Sequence, residues 1–195
     1  MRFIATFFCA TFFLVAAGQK IEYRHDSLFV NKYFVDAQTA KSTIDSLLNA
    51  KGKTRISRDK DKINPVTQKK VVQTTDFYYD LGLFFRRYDY DSSQLSVGIK
   101  LYRDSNSKDD RQGDLTETFK GELYIAENYI NDKRTIEQLQ QLINCSVTTS
   151  YVSLGTYSYL IGGDIIYGQN VIRISFDKNT KELTSVFIHH NFKER

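Results

Sequence analysis

With 195 residues the chain is long enough for one ordinary domain, or two small ones, around a real buried core. Hydrophobic residues at 41% and charged residues at 26% exclude a disordered or collagen-like chain. The 27 Lys and Arg exceed the 23 Asp and Glu too little to imply nucleic acid by charge alone, while 13 Tyr and 14 Phe favour β-structure.

Met1 and Arg2 lead into an uncharged run from Phe3 to Ala17, followed by Gly18-Gln19-Lys20. One early positive charge, an apolar run and small residues at Ala16 and Gly18 fit a secretory signal peptide over residues 1–18. A spanning helix usually needs about 20 apolar residues, so this run is short for an anchor. Cleavage between Gly18 and Gln19 would deliver the mature chain to the periplasm or the exterior. Phe7-Phe8 ahead of Cys9 argue against a lipoprotein anchor. Cys145 is then the single remaining cysteine, either a buried thiol or a link between two chains.

Three blocks recur in the same order in the mature chain, which predicts a tandem repeat. Leu28-Phe29-Val30 and Phe34-Val35-Asp36 match Leu123-Tyr124-Ile125 and Tyr129-Ile130-Asn131. Thr43-Ile44-Asp45-Ser46-Leu47 then matches Thr135-Ile136-Glu137-Gln138-Leu139. Phe77 to Gly82 matches Tyr157 to Gly162. Tyr88-Asp89, Leu95 and Ser96 to Ile99 match Phe176-Asp177, Leu183 and, after one extra residue, Ser185 to Ile188. Each half reads as a short β-ribbon, a helix opened by Asp or Asn and Thr, and three strand-like runs. Ile44, Leu47 and Leu48, and Ile136, Leu139, Leu142 and Ile143, give each helix one apolar stripe. The expected fold is α+β: two tandem repeats, each a short helix on an antiparallel sheet, joined into a longer curved sheet.

The first repeat covers 19–103 and the second 119–195, with a polar linker over 104–118. Residues 49–76 have no counterpart of equal length in the second half and read as a basic insertion. From Lys51 to Lys70, eight basic residues face Asp59 and Asp61. Lys60, Lys62 and Lys69 in this stretch are candidates for contact with an acidic partner or an anionic envelope surface, and a solvated hairpin with Val66, Val71 and Val72 inside is the alternative. Arg86, Arg87, Tyr88 and Tyr90 are the second candidate set, because alternation puts one of the two arginines on an open sheet face beside tyrosines.

Motifs for known chemistry are missing. No serine occupies a Gly-x-Ser-x-Gly frame, and neither phosphate-binding glycine pattern occurs. Gly162-Gly163 reads as a turn or bulge. His189 and His190 are adjacent on a strand and so point to opposite faces, a poor start for a shared metal. No catalytic residue, cofactor or metal is therefore expected, though a dyad of Cys145 with a distant histidine stays open. Asn144-Cys145-Ser146 fits a glycosylation acceptor.

The ribbon, Thr-opened helix and following strands, repeated over roughly 28–101 and 123–190, resemble the tandem repeats of β-lactamase inhibitory protein and the related SmpA/BamE-type envelope modules. That resemblance implies a protein-binding scaffold rather than a fixed activity. The expected function is an exported, non-enzymatic protein-binding protein, an inhibitor or immunity protein that occludes a toxin or enzyme. An envelope assembly factor and a small secreted enzyme are the alternatives. The partner is another protein with an acidic surface, not nucleic acid, and the mature chain has no membrane span.

Overall fold

The computed structural model describes residues 18–63, 67–89, 91–101, 115, 117–143, 147–152, 160–167, 170–177, 180 and 182–191. The apolar leader, Tyr90, Asn144 and Cys145 lie outside these residues, as does most of the expected linker. The fold is mixed α+β, dominated by two open sheets with two short helices. None of the described helices is long and apolar enough to cross a membrane.

Three tight hairpins open the two halves. Strands β1 (Lys20–Arg24), β2 (Ser27–Val30) and β3 (Tyr33–Val35) are joined by two-residue loops at His25-Asp26 and Asn31-Lys32. Further on, β8 (Glu122–Ile125) and β9 (Asn128–Ile130) turn at Ala126-Glu127. All six loop residues have positive φ, the backbone twist that two-residue hairpins require. These strands form a five-stranded sheet in the order β3-β2-β1-β8-β9, with β1 parallel to β8.

Helix α1 (Lys41–Leu48) follows β3, and α2 (Ile136–Ile143) follows β9. Thr135 caps α2: the Gln138 N–H donates to its Oγ1 at 3.4 Å, while its own N–H donates to Gln138 Oε1 at 3.3 Å. In α1 the expected cap is displaced. The N-cap is Ala40, and Asp36 instead accepts from the Gln38 and Thr39 N–H groups, folding the turn ahead of the helix. The helix starts lie 95 residues apart, as do Leu28 and Leu123, and Val35 and Ile130. Thr43 and Thr135 lie 92 residues apart, three short of this spacing, whereas the buried Ile44 and Leu139 keep it.

Four strands, not three, follow each helix. These are β4 (Lys53–Ile63), β5 (Lys70–Tyr78), β6 (Leu83–Tyr88) and β7 (Asp91–Lys100) in the first half. The second half supplies β10 (Val147–Val152), β11 (Leu160–Tyr167), β12 (Asn170–Asp177) and β13 (Leu183–Asn191). Together they form one antiparallel sheet in the order β10-β11-β12-β13-β7-β6-β5-β4. The basic stretch 49–76 supplies the edge hairpin β4–β5. Gly162 and Gly163 are not a turn: they sit inside β11 opposite Ser175 and Ile174, so the sheet ladder overrides their local preference. At the centre of the sheet Val97 pairs with Ile188 and Ile99 with Val186, on either side of the Gly98–Phe187 pair.

One core joins the small sheet, both helices and the central strands of the large sheet. Ile21, Leu28, Leu123 and Ile125 of the small sheet, Ile44 and Leu139 of the helices, and Phe85, Val97, Ile174 and Phe176 of the large sheet belong to one buried cluster. Burying each such side chain contributes about 1.5–3 kcal/mol. Leu115 and Phe119 also go inside, with the Lys100 Nζ donating to the Leu115 carbonyl at 2.9 Å. Asp45 ties α1 to the large sheet. It accepts from Lys41 Nζ at 2.6 Å, Gly52 N–H at 3.0 Å and Tyr78 OH at 2.7 Å. Burial raises its carboxyl, but these donors outweigh burial and hold it below the usual carboxylate range. Burial first, then the Asp45 carboxylate, push the Tyr78 phenol far above its ordinary range.

Candidate functional site

Alternation along the central strands separates two sets of side chains. Leu83 and Phe85 of β6, Val97 and Ile99 of β7, and Val186 and Ile188 of β13 face the core. Phe84, Arg86 and Tyr88, Ser96 and Gly98, and Phe187 and His189 therefore share the opposite, outer face. Two rows run across the strands there. One is Lys53–Phe77–Phe84–Gly98–Phe187, and the other is Arg55–Thr75–Arg86–Ser96–His189.

The first row makes an aromatic floor. Phe77 and Phe84 lie 5.7 Å apart, and Phe84 and Phe187 lie 5.8 Å apart, although β7 separates their strands. Gly98 makes that second contact possible, because a Cβ there would fall inside the Phe84 ring. The second row lays one basic side chain on each ring. Arg55 is 5.8 Å from the Phe77 centroid, Arg86 is 5.0 Å from Phe84, and the His189 imidazole stacks on Phe187 at 6.3 Å and 18°. Adjacent strands are about 4.8 Å apart, so Arg86 stands roughly 10 Å from Arg55 on one side and from His189 on the other, and those two are roughly 20 Å apart.

Hydroxyls between them hold the pattern. The Arg86 Nε–H donates to Thr75 Oγ1 at 3.2 Å, and Ser96 Oγ lies 2.7 Å from His189 Nδ1. Tyr88 closes one side, with its ring 6.2 Å from His189. Ser96 has no exposed surface, and its hydroxyl fixes the orientation of the His189 imidazole. Among the described residues, no group of three or more His, Cys, Asp or Glu could hold a metal ion.

The candidates from sequence separate here. Arg86 and Tyr88 lie on the outer face. Arg87 points inward, where its Nη1 bonds Asp76 Oδ2 at 2.8 Å and its other nitrogens reach the Ala37 and Thr39 carbonyls. Asp76 also accepts from Thr54 Oγ1 at 2.7 Å, so Arg87 is a structural tie between the sheet and the turn before α1. Lys69 is exposed just ahead of β5, about 20 Å along the strand from the level of Arg86, so the two do not meet. Lys60 and Lys62 lie in β4 with side chains outside the described set. Sequence reasoning missed Arg55, Phe84, Ser96, Phe187 and His189 as one constellation, since only cross-strand register assembles them.

Comparison with protein-family models, with curated proteins and with solved structures gave no match.

Proposed function

We propose that the chain is an exported, non-enzymatic protein-binding module of two tandem α+β units that acts by occlusion, as an inhibitor or immunity protein does. The observation that carries this reading is the outer face of the large sheet, where a floor of phenylalanines is overlaid by arginine, histidine and tyrosine. Tyrosine and arginine on an apolar floor are the residue types that dominate binding energy in protein interfaces. The tandem reading is supported by the shared order of hairpin, helix and four strands, to which the first half adds β1, and by the constant 95-residue spacing through ribbon and helix. It is also supported by the central pairing, since Val97 to Ile99 and Val186 to Ile188 pair antiparallel about Gly98–Phe187, as two like units related by a two-fold would. A second reading, an envelope assembly factor with several partners, is favoured by the exposed aromatics of the small sheet, Tyr33, Phe34 and Tyr129.

The test is affinity capture by the purified protein from its own envelope extract, repeated with Arg86→Ala. One stoichiometric toxin or hydrolase, lost with Arg86→Ala, is the expected result. A spread of envelope proteins insensitive to Arg86 would move the reading to the assembly factor.

A further inference from the structure

We infer that Arg86 is a preset fork for a single carboxylate, and that the partner docks an Asp or Glu side chain flanked by a large apolar residue onto the outer face of the large sheet. This inference rests on the protein-binding reading above and gives the partner its chemistry. Three features of Arg86 carry it. Its Nε is fixed by Thr75 and its guanidinium carbon lies 5.0 Å from the centre of the Phe84 ring, so the side chain is already ordered before anything binds. Its Nη1 and Nη2 have no hydrogen-bond or ion-pair partner among the described residues. It is partly buried, so water screens it less than it would a surface arginine.

Charge complementarity names the occupant. The described outer-face side chains of β4 to β7 and β13 include Lys53, Arg55 and Arg86, and none of them is acidic, while Lys100 is turned in on the Leu115 carbonyl. Asp89, just beyond β6, has its carboxylate engaged by the Val72 N–H at 2.9 Å. A planar guanidinium offers two parallel N–H bonds to a carboxylate, which a point-charge ammonium does not. A phosphate, carrying close to two charges, calls for several converging cations, and Arg55 stands two strands away, about 10 Å. The rings of Phe84, Phe187 and Tyr88 beside the fork suit an apolar neighbour of the acid. Ordering the arginine in advance also lowers the entropy lost on binding.

The experiment titrates the purified protein with a short peptide centred on Leu-Glu-Phe, with the same peptide carrying Gln for Glu, and with inorganic tripolyphosphate. The glutamate peptide should bind at least about tenfold more tightly than its glutamine twin. Arg86→Lys, which keeps the charge and removes the fork, should lose about tenfold, and Lys133→Gln should change nothing. Thermal unfolding checks that Arg86→Lys is folded. If it is not, Thr75→Val, which frees Nε, should weaken the peptide several-fold instead. Equal binding of the two peptides, no binding up to about millimolar peptide, full affinity in Arg86→Lys, or displacement of the peptide by tripolyphosphate at lower concentration would each overturn the inference. The native partner captured from the envelope is measured against Arg86→Lys as well. Retained capture there sinks the carboxylate fork and leaves the protein-binding reading standing, whereas failure of any partner to appear sinks that reading.

Discussion

Both sheets mix aromatic rings with cations on the face turned from the core, yet the cations meet different fates. On the small sheet a single row runs Phe34–Phe29–Glu22–Tyr124–Tyr129. Glu22 stands at its centre, with Lys20 Nζ at 3.4 Å and Arg24 Nε at 3.2 Å. The same two cations lie over Tyr124 and Phe29. On the large sheet the cations also lie over rings, but none of the described outer-face side chains of β4 to β7 and β13 is acidic, and Arg86 keeps two nitrogens without a partner among the described residues. On the proposal above, it is the unmatched charge of Arg86 that makes the large-sheet face, and not the small-sheet one, the recognition surface. Arg87, one residue from Arg86, makes the same point inside the molecule, since Asp76 consumes its charge.

The largest expected effect comes from that inner pair. Asp76→Ala leaves Arg87 without its carboxylate in a site where Asp76 is only 3% exposed, and should cost about 3–5 kcal/mol in denaturant unfolding. A cost under about 1 kcal/mol would mean that Arg87 is as unengaged as Arg86. Gly98→Ala is next. The added methyl collides with Phe84, so stability should fall by about 1–3 kcal/mol, and the Phe84–Phe187 floor should open. A crystal structure of the variant with both rings unmoved would contradict this.

Asp45 gives a pH signature away from both faces. Its folded carboxyl titrates below its unfolded one, so its contribution is complete above about pH 4 and is lost as pH falls through the lower folded value. Asp45→Asn should therefore cost about 1–2 kcal/mol at neutral pH, and the variant should approach the parent in acid. A gap between parent and variant that stays constant down to strong acid would refute the assignment. The smallest stability effect sharpens the comparison most. Glu22→Gln removes two ion pairs from a carboxylate only 11% exposed, should cost about 1 kcal/mol because the amide oxygen still accepts hydrogen bonds, and leaves Lys20 and Arg24 without their counter-charge. The variant should gain weak affinity for the Leu-Glu-Phe peptide on the small sheet, and a variant with no new binding would show that freeing charge is not enough.

Much of the architecture was legible because it rests on local periodicity. The ribbons at Leu28 and Leu123, the apolar stripes through Ile44 and Leu139, and the alternation of Leu95, Val97 and Ile99 all announce themselves along the chain. The extra residue expected in the second half is Thr184, set beside the register shift at Ser175 and Phe176. What stayed hidden depends on partners that sequence spacing does not reveal. Gly162-Gly163 carries a turn signal that only pairing with Ser175 and Ile174 cancels. Alternation says that one of Arg86 and Arg87 faces out, but the choice needs the buried side chains of Leu83 and Phe85 as a reference. Ser96 and His189 lie 93 residues apart and meet only because β7 and β13 pair at the centre of the sheet.

The most direct test of the central claim is backbone amide NMR of the labelled protein on addition of the captured partner. The account predicts shifts concentrated on Thr75, Arg86, Ser96, Phe187 and His189, with the small sheet unchanged. Shifts centred instead on Phe29, Phe34, Tyr124 and Tyr129 would place binding on the wrong sheet and contradict the account.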